Sequence, residues 1–324
     1  MAHLIAEECE KLTRAFSGFG GLGVEEKELV SVIGNWRHEP EKRSHFRRGC
    51  AAPLFNAEVE NFERWEDDFV KHLKAEFARF KNVVLLWAMH PWERDARWAN
   101  HVLHKAHPFA ILVEIACTRS TEELLGARRA YHTLFHHSLE EDVAYRVKES
   151  NAQLLVGLVS SYRYEGSHVD EERAKLEAKA LNDAIKKAGA KKPIENEDII
   201  RILTTRSKPH LKVTFKFYKE MYGKSIEEDI AGDKCLQETV QCLRSPPIYF
   251  CKIINRAFKD GAEKNTKEAL TRVIVSRSEI DMAEIKEVYH KQYGVKLEDV
   301  IAKSTHGNYR DALLSLVTGK EQES

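Results

Sequence analysis

Apolar positions along this chain recur at three- and four-residue spacing rather than in alternation. Leu124, Ala127, Tyr131 and Leu134 form one such series, and this spacing lines one face of an α-helix. Alternating apolar and polar positions, which favour strands, are scarce, and the chain holds only eight prolines. The pattern therefore predicts an all-α fold in which nearly every element is a helix.

Three segments of the chain share one pattern, which runs from an apolar stretch through a (Thr/Ser)-Arg-Ser step to an acidic end. The arginines of the step are separated by 87 and 71 residues and are Arg119, Arg206 and Arg277. The acidic ends are separated by 87 and 70 residues and are Asp142, Asp229 and Asp299. Because two separate anchors agree, the chain is predicted to be a repeat protein.

A fourth unit precedes these three. The apolar stretch Val83–Met89 is similar to the closing helix of the later units. We therefore expect units over residues 1–90, 91–166, 167–246 and 247–324, each with about five short helices. The (Thr/Ser)-Arg-Ser step would supply a helix cap and a turn. A polar stretch over Tyr164–Ala178 is typical of a linker and would divide the chain into two halves.

The composition of the chain limits the partners and the cellular location that we expect. Fifty-one Lys and Arg residues balance 51 Asp and Glu residues, so nothing indicates a general attraction to anionic lipid or to nucleic acid, and nucleic acid is not an expected partner. Binding to a negatively charged surface would need a local binding feature, such as a cation that bridges the protein and that surface. No apolar run is long enough to span a bilayer. The absence of a signal-like start and of CxxC pairs favours the cytoplasm.

The repeats resemble the annexin family over essentially the whole chain. The last unit resembles it most, through ALTRVIVSRSEID, IKEVYHKQYGVKLEDVIAKSTHGNY and DALLSLV, and WAMHPWERDA between the first two units is similar to plant annexins. The resemblance implies four annexin repeats of about five helices each, forming a slightly curved disc. It also implies calcium-dependent binding to anionic phospholipid through loops on the convex face, and peripheral membrane association. No enzyme site is recognisable.

Annexins bind calcium through carbonyls of the loop between the first two helices of a repeat and through a carboxylate further along. In repeat one, the segment FGGLGVEE resembles this loop. The resemblance implies Ca²⁺ ligands at the carbonyls of Phe19, Gly21 and Gly23 and at the carboxylate of Glu76, with Leu22 contacting the membrane. Calcium takes six to eight oxygens, and glycines let a loop turn its carbonyls inward. The alternative is a glycine-rich helix–helix turn with an ordinary surface glutamate.

The other repeats depart from this pattern. In repeat two the loop reads HKAHPF and has lost both glycines, and in repeat three KAGAKKPIEN places lysines where calcium would sit. No calcium site is expected in either repeat. In repeat four the loop KDGAEKNT keeps only Gly261, and the neutral Ser304 stands where the family prefers Asp. We expect at most a weak site there.

Degraded loops motivate a second hypothesis, a helical scaffold that binds a protein partner such as actin or a kinase with little calcium dependence. Ile200–Ile202 resembles an actin-binding motif proposed for plant annexins, although a helix core would also explain it. Cys117 and Cys242 are either a redox pair or buried small side chains. Gly223–Ser225 resembles the end of a phosphate-binding loop, but Tyr218 replaces the glycine that such a loop requires, so a turn is predicted.

Overall fold

The computed structural model of this protein describes residues 2–17, 26–50, 55–56, 64–65, 80–104, 109–147, 150–160, 163–187, 192–262 and 264–319. These residues form nineteen α-helices, together with one antiparallel pair of two-residue strands. The all-α prediction is confirmed.

Helices of the first repeat are interrupted by the strand pair. They are α1 (Ala2–Ser17), α2 (Glu26–Asn35), α3 (Pro40–His45) and α4 (Lys81–Ala88). Between α3 and α4 come a π-helical turn, Phe46–Cys50, and the strands β1 (Phe55–Asn56) and β2 (Arg64–Trp65). Phe55 pairs with Trp65 across these strands.

The rest of the chain repeats one order of five helices three times. The first set is α5 (Pro91–His104), α6 (Ala110–Thr118), α7 (Thr121–Phe135), α8 (Leu139–Arg146) and α9 (Asn151–Val159). The second set is α10 (Glu171–Lys187), α11 (Glu197–Thr205), α12 (Lys208–Tyr222), α13 (Ile226–Asp229) and α14 (Lys234–Arg244). The third set is α15 (Pro246–Ala257), α16 (Lys264–Arg277), α17 (Met282–Tyr293), α18 (Leu297–Ser304) and α19 (Gly307–Thr318). A short 3₁₀ turn, Pro193–Glu195, precedes α11.

The helices group into two compact units. The continuous unit is Pro91–Tyr249, and the split unit combines Met1–His90 with Phe250–Ser324. Repeat two therefore packs with repeat three, and repeat one with repeat four. The linker at residues 164–178 does not divide the chain into two compact halves, because α9 packs on α11 and α6 packs on α14 within the continuous unit.

Basic side chains join the repeats inside each unit. In the split unit, Arg37 donates from Nε to the Ser278 carbonyl at 2.9 Å and from Nη1 to the Val317 carbonyl at 3.0 Å. In the continuous unit, Lys208 Nζ donates to the Arg119 carbonyl at 3.1 Å. The carbonyls at helix ends lack partners within their own helix, so these contacts satisfy them while fastening two repeats together.

A carboxylate holds the arginine of the repeated step in both repeats of the continuous unit. Arg119 donates from Nε to Oδ2 of Asp95 at 2.6 Å and from Nη2 to Oδ1 at 2.9 Å, and both side chains are buried. Arg206 donates to Glu177 at 2.7 Å, and His210 Nε2 lies 2.9 Å from the other oxygen. Burial opposes ionisation of Glu177, but these hydrogen bonds outweigh it and lower the pKa of the carboxyl. The repeated arginines therefore mark internal ion pairs.

The serine of the step caps the next helix in two repeats. Ser120 forms a capping box with Glu123, and Ser207 accepts a hydrogen bond from a backbone N–H of α12. In repeat four the equivalent Ser278 instead donates its hydroxyl to a carbonyl of the preceding helix. The predicted cap is confirmed in repeats two and three and is wrong in repeat four.

The third helix of repeats two, three and four ends on a residue in the left-handed conformation. The φ angle is +61° at His136, +73° at Gly223 and +72° at Gly294. Gly223 leads directly into the turn between α12 and α13, so the prediction of a helix–helix turn at Gly223–Ser225 is confirmed. His136 is the one non-glycine residue of the described chain with a positive φ.

Candidate calcium site

The predicted repeat-one site lies outside the described residues. This applies to the loop residues Phe19, Gly21, Leu22 and Gly23 and to Glu76. The two helices that flank the glycine-rich segment, α1 and α2, are described and pack against each other. The ligand assignment stays a prediction.

The corresponding loop of repeat four lies between α15 and α16. The N–H of Ala262 donates to the Lys259 carbonyl at 3.1 Å and closes a turn in which Gly261 has a φ of +75°. A Cβ added to Gly261 would meet no atom within 4 Å. Backbone conformation rather than space therefore favours glycine at this position.

The repeat-four loop and the closing position meet in one open cleft. Lys259 and Gly261 of the loop line it, and so does Ser304 at the end of α18. The fold thus brings together the two parts that the family motif uses. The chemistry is different, because Ser304 offers a neutral hydroxyl and the ammonium groups of Lys259 and Lys303 also line the cleft.

Carboxylates are present in the same cleft but do not converge. They are Asp260, Glu268 and Asp299. Across the described ranges, no group of three or more His, Cys, Asp or Glu side chains could hold a metal ion. Calcium prefers six to eight oxygens with anionic character, so the residues described in repeat four fit it poorly.

In repeat three, the described part of the loop stabilises the next helix. Asn196 Oδ1 accepts hydrogen bonds from the N–H groups of Asp198 at 2.9 Å and Ile199 at 3.3 Å, capping α11. Lys192 is exposed just before the Pro193–Glu195 turn. The polar side chain of this loop therefore serves the helix N-terminus. In repeat two, residues 105–108 of the loop fall outside the described chain.

The residues that resemble an actin-binding motif pack inside the continuous unit. Ile200 and Ile202 are buried, while Arg201 is exposed and pairs with Asp198 at 3.2 Å. Core packing therefore explains the two isoleucines, and only the arginine is presented to solvent.

Two buried cysteines were the candidates for a redox pair. Cys117 and Cys242 are both fully buried. Burial raises the pKa of the Cys117 thiol to about 11 and that of Cys242 well above its usual value. Since the thiolate is the reactive form, both are expected to stay protonated near neutral pH and to behave as small core side chains.

Repeated five-helix sets, joined in pairs and marked by buried arginine–carboxylate contacts, define an α-helical repeat protein. A family model described as Annexin matches residues 177–234 and 249–316. Annexin D4 of Arabidopsis thaliana is 44% identical, covering 96% of this chain and 98% of that protein. Annexin-like protein RJ4 of Fragaria ananassa is 38% identical, covering 97% and 96%. The chain belongs to the annexin family, and both relatives are plant proteins.

Solved annexin structures match along nearly the full chain. Annexin III superposes with a TM-score of 0.81 at 26% identity, covering 97% of this chain and 94% of that one. Chicken annexin V superposes with a TM-score of 0.76 at 28% identity, covering 97% and 96%. The annexin fold is confirmed.

Family membership sets the general activity. Annexins are non-enzymatic membrane-binding proteins, and membership implies calcium-dependent phospholipid binding in general and peripheral association with membranes. Among the helices that the structure describes, none combines the length and the apolar character needed to cross a membrane.

Proposed function

We propose that this protein docks on anionic phospholipid membranes through a calcium ion held in repeat one. The observation that carries the proposal is the position of FGGLGVEE between α1 and α2, two helices that pack together. This is the place where the family holds calcium. Carbonyls of Phe19, Gly21 and Gly23 and the carboxylate of Glu76 would be the protein ligands.

A single carboxylate gives such a site its character. Calcium takes six to eight oxygens, so three carbonyls and one carboxylate leave positions for lipid phosphate oxygens and water. With so little ligand charge, the dissociation constant without lipid should be weak, on the order of 10⁻⁴ to 10⁻³ M. Leu22, in the middle of the segment, would contact the headgroup region. Calcium would thus connect the protein ligands of repeat one to the lipid phosphates.

Co-sedimentation with anionic vesicles at moderate salt tests the proposal. Glu76→Gln removes the one charged ligand and should raise the calcium concentration for half-maximal binding by about tenfold or more. Glu195→Gln is the matched control, because Glu195 is exposed in the equivalent loop of repeat three and its loss changes the net charge equally. An unchanged calcium requirement in Glu76→Gln would show that the site has been misassigned.

The scaffold hypothesis, with actin or a kinase as partner, gains no support from the Ile200–Ile202 segment, since both isoleucines are buried. It would be favoured if vesicle binding at moderate salt were equal with calcium and with a chelator. The calcium bridge instead requires that vesicle binding at moderate salt be lost when a chelator replaces calcium.

A further inference from the structure

Repeat three carries a lysine-rich surface on α10 and α12, two helices that pack against each other. We call it the lysine stripe and define it by the exposed lysines of these helices: Lys175, Lys179, Lys186, Lys187, Lys212, Lys216 and Lys219.

The equivalents of α12 in the other repeats carry less positive charge than α12 does. Helices α7, α12 and α17 hold the same place in their five-helix sets, and each ends on a left-handed cap. Helix α7 has two arginines against two glutamates, and α17 has two lysines against two glutamates. Helix α12 has four lysines against one glutamate. A chain of zero net charge therefore concentrates positive charge on one helix.

Spacing puts the α12 lysines on one side of the helix. Lys212, Lys216 and Lys219 follow each other at intervals of four and three residues, and all three are exposed. Residues at these intervals are neighbours on a helix surface. At 1.5 Å rise per residue, the three charges extend along roughly 10 Å of helix.

Contacts between the helices bring the α10 lysines onto the same surface. Lys175 Nζ lies 5.3 Å from the ring centroid of Phe217, and Lys186 Nζ lies 5.2 Å from that of Tyr222. Both rings belong to α12, so these two lysines of α10 lie beside the lysine-bearing helix α12.

Carboxylates also lie on these helices, and two of the stripe lysines pair with one: α10 carries Glu171, Glu172 and Asp183 besides the buried Glu177, and α12 carries Glu220. Lys175 pairs with Glu172 at 2.9 Å, and Lys216 pairs with Glu220 at 3.7 Å. The other stripe lysines of α12, Lys212 and Lys219, have no ion pair with any residue in the described part of the chain, and the same holds for Lys179 and Lys187 of α10. Solvated and unpaired, these ammonium groups are available to an anionic partner.

We propose that the lysine stripe is a calcium-independent contact site for an anionic lipid bilayer. Seven of the eight exposed cations on α10 and α12 are lysines, and the eighth is Arg173. Lysine is depleted and arginine enriched at protein–protein interfaces, where arginine forms paired hydrogen bonds with carboxylates. A bilayer with acidic headgroups instead presents diffuse negative charge. Each lysine near its surface raises the binding constant by about fivefold.

Neighbouring side chains also favour a bilayer over nucleic acid. Phe217 and Tyr222 are covered by lysines, whereas single-stranded nucleic acid needs open aromatic faces on which bases stack. Leu176 is 69% exposed and Met221 is 47% exposed. Leu176 directly follows Lys175, and Met221 lies two residues after Lys219, so both apolar side chains would enter the headgroup region of a bilayer held by the stripe.

The inference does not rest on the calcium site of repeat one, and two conditions separate the contacts. A chelator removes the calcium bridge but leaves the lysines charged. Moderate salt weakens the attraction between the lysines and the anionic headgroups, because screening acts over about 10 Å at 0.1 M ionic strength. It weakens a directly coordinated ion much less.

The test uses the full chain with excess chelator at about 20 mM salt, where screening is slight. Vesicles of phosphatidylcholine with phosphatidylserine are compared with vesicles of phosphatidylcholine alone. The chain should bind the former and not the latter. The triple variant Lys212→Gln, Lys216→Gln, Lys219→Gln should bind at least about tenfold more weakly, since three cations are lost.

A matched triple variant controls for net charge. Lys234→Gln, Lys252→Gln and Lys291→Gln remove three exposed lysines outside the stripe and should change binding by less than about twofold. Equal thermal unfolding of both triples would show that folding is unaffected. Glu76→Gln should keep its chelator-resistant binding, so failure of the calcium bridge and failure of the lysine stripe are told apart.

Three results would overturn the proposal. The first is no binding to the acidic vesicles in chelator at low salt. The second is an equal loss in both triple variants, which would assign the effect to net charge. The third is a stripe variant that loses binding to single-stranded DNA but keeps its binding to the acidic vesicles, which would assign the surface to nucleic acid.

Discussion

Replacing His136 with glycine should stabilise the continuous unit. His136 ends α7 with a φ of +61° and a ψ of +20°, and its N–H donates to the His132 carbonyl at 2.8 Å. The left-handed conformation costs a residue with a side chain about 1–2 kcal/mol. Glycine avoids that cost. It also loses more conformational entropy on folding, which lowers the stability by up to about 1 kcal/mol.

The net gain in the free energy of unfolding should therefore be about 0.5–1 kcal/mol. For a unit of this size it corresponds to a rise of roughly 1–4 °C in the thermal midpoint. Gly223→Ala is the reciprocal change, in the same unit. A Cβ at Gly223 would meet no atom within 4 Å, so backbone strain alone should lower the stability, by about 1 kcal/mol. Urea unfolding followed by circular dichroism measures both.

His137→Gly provides the control. His137 is also exposed but has no positive φ, so glycine should bring no gain there and should cost about 0.5–1 kcal/mol through chain entropy. If His136→Gly proved as destabilising as His137→Gly, the φ of His136 would not be strained. The reasoning from backbone conformation would then be refuted.

Three further changes have definite expectations. Asp95→Ala should lower the free energy of unfolding by about 3–5 kcal/mol in urea, because it leaves the buried Arg119 guanidinium without its partner. Glu177→Gln should destabilise at neutral pH, and the difference from the parent chain should shrink as pH falls. The folded pKa of Glu177 lies below its unfolded value, so its contribution is present above the unfolded pKa and is lost as pH falls through the folded one; urea unfolding at several acidic pH values checks this. Ser304→Asp should add a calcium ion in repeat four if the missing carboxylate is the main defect, whereas calorimetry showing no added uptake would place the defect in the lysine-flanked loop.

Local patterns were enough to predict the helices and their repetition. The interval of 87 residues between Arg119 and Arg206 places equivalent helices in register, and the structure has five helices in the same order around each. The same interval aligns His136 with Gly223. That alignment could have shown the left-handed cap, but a histidine carries no turn signal of its own, and on the surface of a helix it reads as an ordinary solvated residue.

Pairing between repeats could not be predicted in the same way. Arg37 bonds carbonyls of Ser278 and Val317, and no local pattern connects positions so distant in the sequence. The polar linker suggested two halves, because composition reports solvent exposure and not which helices pack. The lysine stripe was hidden for a similar reason, since its members come from two separate helices and the whole chain is neutral. The calcium site of repeat one depends on family resemblance alone.

The split unit has a consequence for synthesis. Its first part, Met1–His90, is completed by Phe250–Ser324, and all of Pro91–Tyr249 lies between them in the chain. A ribosome adding about 5–20 residues per second needs roughly 10–30 s to make that intervening stretch. During this time α2 and α4 have emerged without α16 and α19, the helices that will pack against them. The continuous unit, whose partners are neighbours in sequence, can fold first. The earliest helices to be made are therefore among the last to be buried, and nascent chains should need protection at their N-terminal end.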